Sequence, residues 1–309
     1  MRLRSPAAYF LRRAQLIFMI TALVPTVLMT LVGVLLVVTG GSKSVAIVSG
    51  ILVLAFCATS LAGYVLGTIF VTRGAGLAAI QNEFLSSVSH ELRTPLTSIR
   101  LFIDTLREER ISDPEERQRC LGVVHQELTR LDALVGKLIA LSKIESRRAA
   151  FDRRPVALGE VIDEALVAFK AISVGSGVDL HVKVAPDLMV HGDRSALGQA
   201  VANLLANSWK YTDAETRRID VTTGADSRHV WITVTDNGIG IPTNEQNIIF
   251  EKFERGSAAV DRGTTGSGLG LAIVQAIVKA HRGKIEVRSQ LNRGAQFRIV
   301  LPRWEGEAA

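Results

Sequence analysis

Two long apolar segments near the amino terminus most constrain how this chain can fold. The stretches 16–38 and 45–71 are almost uncharged and rich in Leu, Val, Ile and Ala. Each exceeds the roughly 20 residues that an α-helix needs to cross the hydrocarbon of a bilayer. A secretory signal is the alternative for the first segment, but its apolar stretch is too long and a second one follows it. We therefore predict two transmembrane helices in a membrane domain covering 1–76.

The distribution of charge orients these helices and argues against nucleic-acid binding. Residues 1–76 contain six of the 36 basic residues and no acidic residue, so the remaining 30 bases equal the 30 acids. Five of the six cations flank the outer ends of the helical pair, and only Lys43 lies in the turn 40–44. Because cytoplasmic segments are enriched in cations, both termini are expected in the cytoplasm.

The short turn also limits how a stimulus can reach the protein. Five residues leave no room for a folded sensor domain outside the membrane. A signal is therefore expected through the membrane or from the cytoplasm. Cys57, inside the second apolar segment, and Cys120, in a predicted helix, are too few for a disulfide framework and suit reduced, structural thiols.

A helical region is predicted for 77–149. Apolar residues recur there at spacings of three and four, which is typical of a helix with one apolar stripe. Asp113 and Pro114 fit an N-cap and a first helical position, so they divide the region into two helices. An antiparallel hairpin with a stripe on both helices cannot bury them alone. We therefore predict a homodimer that forms a four-helix bundle. The stripe residues are Leu85, Val88, Leu92, Leu96, Ile99, Ile103, Leu106, Leu121, Val124, Leu128, Leu131, Val135, Leu138 and Leu141.

The remainder, 150–309, alternates between strand and helix patterns, which predicts an α/β sandwich with helices on one face of a sheet. Two of the strands are expected as a hairpin that ends at Thr235. The other predicted elements are a strand at 155–158, a helix at 160–172, a strand at 178–184, a helix at 194–211, a helix at 269–281, and strands at 284–289 and 296–301.

His90 is the first candidate for chemistry. At 100° per residue it lies about 200° from Val88 and Leu92, so its ring points away from the apolar stripe. An inert surface histidine is the alternative. A neutral, exposed imidazole is nevertheless a competent nucleophile, and Glu91 beside it can fix its tautomer. Thr94 lies one turn further along the same face.

A second candidate group is a polar stripe on the helix at 194–211. Asn203, Asn207 and Lys210 stand at positions i, i+4 and i+7, so their side chains share one face. Amide oxygens are suitable ligands for Mg²⁺ held together with phosphates, and a lysine can neutralise phosphate charge. An ordinary solvated helix face is the alternative.

Two glycine-rich segments complete the set. Asp236, at the end of a strand, can accept a hydrogen bond from an exocyclic amine, although 236–240 could also be a simple turn. The segment 266–270 opens a helix whose backbone amides can face phosphates. Between them, 242–265 is long and poorly periodic, with Phe250 and Phe253 as its aromatic anchors, and is typical of a mobile lid.

In this order and combination, the segments resemble the sensor histidine kinase family over residues 80–302. The resemblance implies a phosphotransfer domain at 77–149 and an ATP-binding domain of the GHKL type at 150–309. The segments that look like the family's H, N, G1, F and G2 boxes are respectively 84–96, 203–211, 236–240, 250–253 and 266–270.

The resemblance also implies the activity, the cofactors and the partners. The chain would be a protein-histidine kinase of a two-component system in the bacterial inner membrane, surrounded by lipid. His90 would be the phosphoacceptor, Glu91 its general base and Thr94 a phosphatase determinant. ATP and Mg²⁺ would be the cofactors, Asn207 would hold the metal, and the aspartate of a response regulator would receive the phosphoryl group. The nucleotide-binding residues that it implies are Asn203, Asn207, Lys210, Tyr211, Asp236, Gly238, Gly240, Phe253, Gly266, Gly268, Leu269 and Gly270.

One departure from the family concerns signal transmission. About a dozen residues separate Val71 from the helix that carries His90, too few for a HAMP relay domain. A direct helical connection is therefore expected. A nucleotide hydrolase or serine kinase on the same fold would predict no suitably placed histidine. A non-catalytic receptor would predict a damaged nucleotide site. The sequence has both a suitably placed histidine and an intact set of nucleotide-site residues, which argues against both alternatives.

Overall fold

The structure is a computed structural model that describes residues 24–39, 44–108, 113–146, 149–173, 177–213, 215, 217–262, 264 and 266–306, with backbone alone at residues 46 and 70–83. It divides into two compact units, Met1–Leu85 and Ser86–Ala309. Helix α2, Ser44–Arg107, contributes to both units and has no break between the second apolar segment and the segment around His90. The direct helical connection expected from the short linker is confirmed.

The first unit contains an apolar helix, α1, at Val24–Thr39 and the beginning of α2. A Cβ atom at Gly33 would lie 3.1 Å from the Leu54 side chain, so the two helices approach closely at a small residue. Within the described residues, the segment Ile47–Ile69 of α2 is long and apolar enough to cross a membrane. The described part of α1 has too few residues for a full crossing, and residues 16–23 of the predicted first span lie outside the description. Two transmembrane helices are therefore not confirmed, whereas one candidate span is found.

The second unit begins with the predicted pair of helices. After α2 ends, α3 extends from Pro114 to Glu145. Its start is defined by the expected cap, because the Asp113 side chain accepts a hydrogen bond from the Glu115 N–H and Pro114 occupies the first turn. Cys57 and Cys120 are both free and buried.

An α/β sandwich follows, as predicted. Its elements are β1 Arg154–Ala157, α4 Leu158–Ile172, β2 Asp179–Lys183, β3 Met189–Gly192, α5 Arg194–Lys210, β4 Arg218–Ala225, β5 His229–Asp236, α6 Ser257–Asp261, α7 Gly270–Ala280, β6 Lys284–Ser289 and β7 Ala295–Pro302. Strands β2, β4, β5, β7 and β6 form one sheet in that order, with β2 and β4 parallel and the other pairs antiparallel. A separate antiparallel pair joins β1 to β3.

The three longer helices of this domain pack beside one another on the sheet. Helix α5 contacts both α4 and α7 and also packs on β4 and β5. Its apolar residues Leu204 and Leu205 are completely buried, as are Ile273 and Ile277 of α7. The core that they form with β4, β5 and β7 fixes the orientation of α5. The opposite, polar stripe of α5 is consequently held at the edge of the core, where a ligand can reach it.

Candidate functional site

Helices α5 and α7 meet at the two asparagines. A Cβ atom added at Gly270, the first residue of α7, would lie 3.7 Å from Oδ1 of Asn207 and 4.0 Å from Oδ1 of Asn203. Both amides are half-buried. The predicted i, i+4 stripe therefore presents two amide oxygens to the amino-terminal end of α7. Unpaired backbone N–H groups at such an end attract anions.

Asp236 ends β5 and is held by three donors. Its Oδ2 atom accepts from the Ser208 hydroxyl at 3.0 Å. Its Oδ1 atom accepts from the N–H of Gly238 at 3.0 Å and of Ala295 at 3.1 Å. The carboxyl is 9% exposed, and burial raises the pKa of Asp236 above its ordinary value, although the three hydrogen bonds oppose that rise. The Asp236 carboxyl is thus held in one orientation, with two backbone donors at Oδ1 and the Ser208 hydroxyl at Oδ2.

Lys210 lies at the carboxyl-terminal end of α5, on the face that carries Asn203 and Asn207. Burial is the main cause that lowers the pKa of its ammonium to about 8, and the nearby cations Arg255, Lys137 and Arg130 add to this effect. Its Nζ atom lies 5.0 Å from the centre of the Tyr211 ring. A Cβ atom at Gly266 would collide with Nζ, so only glycine fits there while the lysine keeps this position. The ammonium therefore faces the glycine-rich loop.

The glycine-rich loop, 266–270, lies in close contact with the segment 242–265 that is predicted as a lid. Gly268 has a φ of +66°, and a Cβ there would lie 2.6 Å from the Phe253 backbone. The Phe253 N–H donates to the Gly268 carbonyl at 3.2 Å. Within the segment, the Phe250 ring packs edge-on against Phe297, with centroids 6.4 Å apart. These contacts join the segment to the sheet and to the loop.

These groups surround one cavity of about 210 Å³. Of the residues implied by the family resemblance, three do not line it. Gly238 lies beneath the Tyr211 carbonyl, Leu269 is completely buried, and Phe253 packs against the core. The implied residues that do line it are Asn203, Asn207, Lys210, Tyr211, Asp236, Gly240, Gly266, Gly268 and Gly270.

The segment that carries His90 lies elsewhere. His90 is exposed on α2, in agreement with the direction inferred from the helical repeat, and Glu91 is partly exposed. The Thr94 hydroxyl donates to the His90 carbonyl at 3.4 Å, so it follows one turn later on the same helix. The described residues that line the cavity do not include His90. The structure therefore brings the amides, Asp236 and Lys210 together but leaves the histidine apart.

Some residues of the site had not been identified from the sequence. Ser208 faces the core side of α5, yet its hydroxyl supports Asp236. Arg255, in the lid segment, hydrogen-bonds to Tyr211 and to the Thr264 carbonyl. Lys137 of α3 also lines the cavity. No local sequence pattern indicates Ser208, Arg255 or Lys137, because each reaches the site through a contact between separate segments.

The side chains around the cavity determine which metal ion could bind there. Among the described residues, no group of three or more His, Cys, Asp or Glu side chains could hold a metal ion. The two amide oxygens at the start of α7 remain. Neutral oxygen ligands suit Mg²⁺ when phosphates supply the charge, so the residues present fit a magnesium ion that arrives with a nucleotide.

Comparison with known proteins agrees with this geometry. Residues 80–147 match the His Kinase A (phospho-acceptor) domain family, and residues 192–305 match the family of histidine kinase-, DNA gyrase B- and HSP90-like ATPases. The sensor histidine kinase RppB of Synechocystis is 34% identical over 72% of this chain and 49% of its own length. The chain thus spans about half the length of the curated relatives that it matches.

Two solved structures share the fold and are each 25% identical to this chain. Histidine kinase ThkA, in complex with response regulator protein TrrA, covers 74% of this chain with a TM-score of 0.59, and 64% of that chain is matched. Full-length ShkA, in complex with AMPPNP, covers 73% of this chain with a TM-score of 0.53, and 47% of that chain is matched. The chain belongs to the sensor histidine kinases.

Proposed function

We propose that this protein uses ATP to phosphorylate its own His90 and then transfers the phosphoryl group to an aspartate of a response regulator. The observation that carries the proposal is the cavity in which Asp236, two amides and Lys210 surround the amino-terminal end of α7. The solved complexes of ShkA with AMPPNP and of ThkA with TrrA support a nucleotide and a regulator as its ligands.

The cavity is lined by a buried carboxylate and by a cation beside a glycine-rich loop, and these groups suit different parts of ATP. Asp236 would accept a hydrogen bond from the adenine amine. Lys210 and the backbone amides after Gly266 would hold the phosphates, because a cation and a helix start both favour negative charge. Asn207, with Asn203 beside it, would hold Mg²⁺, which neutralises phosphate charge when bound.

The transfer itself needs a nucleophile and a base. The free ring nitrogen of His90 would attack the γ-phosphorus while the bond from that phosphorus to the β–γ bridging oxygen breaks and ADP leaves. Glu91 would take the proton of the other ring nitrogen. In the second step the nitrogen–phosphorus bond breaks as a carboxylate oxygen of the regulator takes the phosphoryl group. Thr94 would orient water for hydrolysis of the phosphorylated regulator.

A homodimer is the second part of the proposal. Leu85, Leu96 and Leu128 of the predicted stripe are 53%, 54% and 51% exposed in a single chain. Exposure of large aliphatic side chains at helical spacing favours burial against a second copy, and a four-helix bundle would supply it. The match to the phospho-acceptor family supports this assembly.

The membrane arrangement is the third part. We propose a multi-pass protein of the bacterial inner membrane with both termini in the cytoplasm, a phosphotransfer domain at 77–149 and a catalytic domain at 150–309. The apolar segment Ile47–Ile69 and the cations that flank the apolar pair support this topology. The uninterrupted helix α2 would carry the stimulus directly toward His90.

Labelling with radioactive ATP tests the proposed activity. Purified protein incubated with γ-labelled ATP and Mg²⁺ should gain an acid-labile, alkali-stable label. The label should be absent in His90→Gln and present in His125→Gln, a control that removes another exposed histidine of the helical pair. A label that persists in His90→Gln would refute the assignment of the phosphoacceptor.

A further inference from the structure

Helix α3 packs against the catalytic domain along one face. Leu134 and Leu141 are 7% and 2% exposed, and both belong to the hydrophobic core that includes α7. Nearer the end of α3, Glu145 Oε2 lies 2.7 Å from Lys252 Nζ in the lid segment. An apolar face and an ion pair therefore hold α3 against the domain that contains the cavity.

The same face carries a cation to the cavity. Residue 137 is three positions after Leu134 and four before Leu141, so helical geometry places Lys137 on the stripe that these two leucines define. Lys137 lines the cavity. The burial of Leu134 and Leu141 thus fixes the rotation of α3 about its axis, and that rotation directs the lysine toward the cavity.

Lys137 belongs to the end of the cavity where we placed the phosphates. It is among the cations that act on Lys210, together with Arg255 and Arg130. Lys210 in turn touches the position of Gly266 at the glycine-rich loop. Without a ligand, these cations repel one another. A polyphosphate would convert this repulsion into attraction.

The acidic groups at the cavity do not change this conclusion. Asp236 already accepts hydrogen bonds from three donors, and Glu254 of the lid segment is the other carboxylate among the described lining residues. One free carboxylate cannot neutralise Lys137, Lys210 and Arg255. An anionic ligand with several charges would neutralise these cations.

From this geometry we infer that Lys137, supplied by the phosphotransfer domain, is a nucleotide-binding residue that contacts the polyphosphate of ATP. This inference rests on the proposed function. Because binding couplings are reciprocal, ATP would favour the docking of α3 by the same factor by which docking favours ATP. The nucleotide site would then be complete only when α3 is docked.

Equilibrium binding of ATP and of adenosine to the full-length protein in detergent tests the inference. Lys137→Ala should weaken ATP binding by about three- to tenfold and leave adenosine binding unchanged, since adenosine has no phosphate. Lys137→Arg should restore most of the affinity. Lys143→Ala removes an exposed lysine of the same helix and should have no effect. These positions are exposed, so the variants should fold.

Three results would overturn the inference. An ATP affinity of Lys137→Ala within twofold of the wild type would exclude a role in phosphate binding. An equal loss for adenosine would show that the lysine only shapes the cavity. In a Glu145→Arg background, which opposes the docked contact with Lys252, the effect of Lys137→Ala should shrink, and an undiminished effect would overturn the docked geometry. Failure of the wild type to bind ATP would instead reject the proposed function.

Discussion

The hydroxyl of Ser208 allows a quantitative test of how the site is built. Ser208→Ala removes the donor to Oδ2 of Asp236 and leaves both donors to Oδ1. Ser208 is 1% and Asp236 9% exposed, so water cannot easily replace the lost partner. A hydrogen bond to a charged group contributes about 1.5–3 kcal/mol, and we expect a loss of about 2 kcal/mol in the free energy of unfolding of the catalytic domain at neutral pH.

Thermal unfolding followed by tryptophan fluorescence measures this loss. All three tryptophans of the chain lie in 150–309, so the signal reports that domain. For a domain of this size, about 2 kcal/mol corresponds to a decrease of roughly 4–8 °C in Tm. Ser257→Ala, which removes an exposed hydroxyl, should leave Tm unchanged.

The pH dependence distinguishes a bond to a carboxylate from simple packing. Burial already raises the pKa of Asp236, and loss of the Ser208 donor should raise it further. The folded variant then gains more from protonation than the wild type, so the difference in Tm should narrow as the pH falls through that pKa. A difference that stays constant from neutral to acidic pH would show that the hydroxyl does not act through the carboxylate.

Three further predictions concern the phosphate end and the membrane connection. ATP affinity should fall as the pH rises above about 8, because Lys210 has a pKa of about 8 and its neutral amine does not attract phosphate; a titration of Lys210→Arg should be flat there. Gly268→Ala should weaken binding of a fluorescent ATP analogue by about tenfold, since its φ of +66° disfavours any side chain, whereas Gly122→Ala, at an open position of α3, should not. Insertion of one, two or three residues near Ala78 should rotate the following helix by about 100° each, and equal labelling of His90 in all three would contradict transmission of the stimulus through this helix.

Periodicity predicted the parts of the site that lie on single elements. The stripe of Asn203 and Asn207 follows from residue spacing alone, because helical geometry is fixed and the apolar side of α5 had to face the core. Asp236 was identifiable as the end of an alternating strand. Gly238 was expected at the nucleotide but lies beneath a backbone carbonyl. A glycine in a sequence shows where a close approach occurs, not which group approaches.

The parts that could not be predicted depend on contacts between distant segments. Strand β3 has only four residues, Met189–Gly192, and its pairing with β1 is what defines it. Helix α6 has five residues and lies in the segment predicted as irregular. Lys137 was not singled out from the sequence, because no local motif surrounds it. It lines the cavity because Leu134 and Leu141 of α3 belong to the core of the catalytic domain, a contact between distant segments.

The docked position of α3 sets an energy scale for regulation. His90 is not among the described residues that line the cavity, so the proposed transfer needs a movement of the catalytic domain, and such a movement would act against its contact with α3. Burial of a leucine contributes about 1.5–3 kcal/mol, so exposing Leu134 and Leu141 would cost about 3–6 kcal/mol, while the partly exposed Glu145–Lys252 pair adds about 0–1 kcal/mol. A shift of a two-state equilibrium from 1:99 to 99:1 needs about 5.5 kcal/mol. The docked contact is therefore comparable in free energy to the shift that a stimulus would have to produce under the proposed function, and ATP bound to Lys137 would stabilise the contact further.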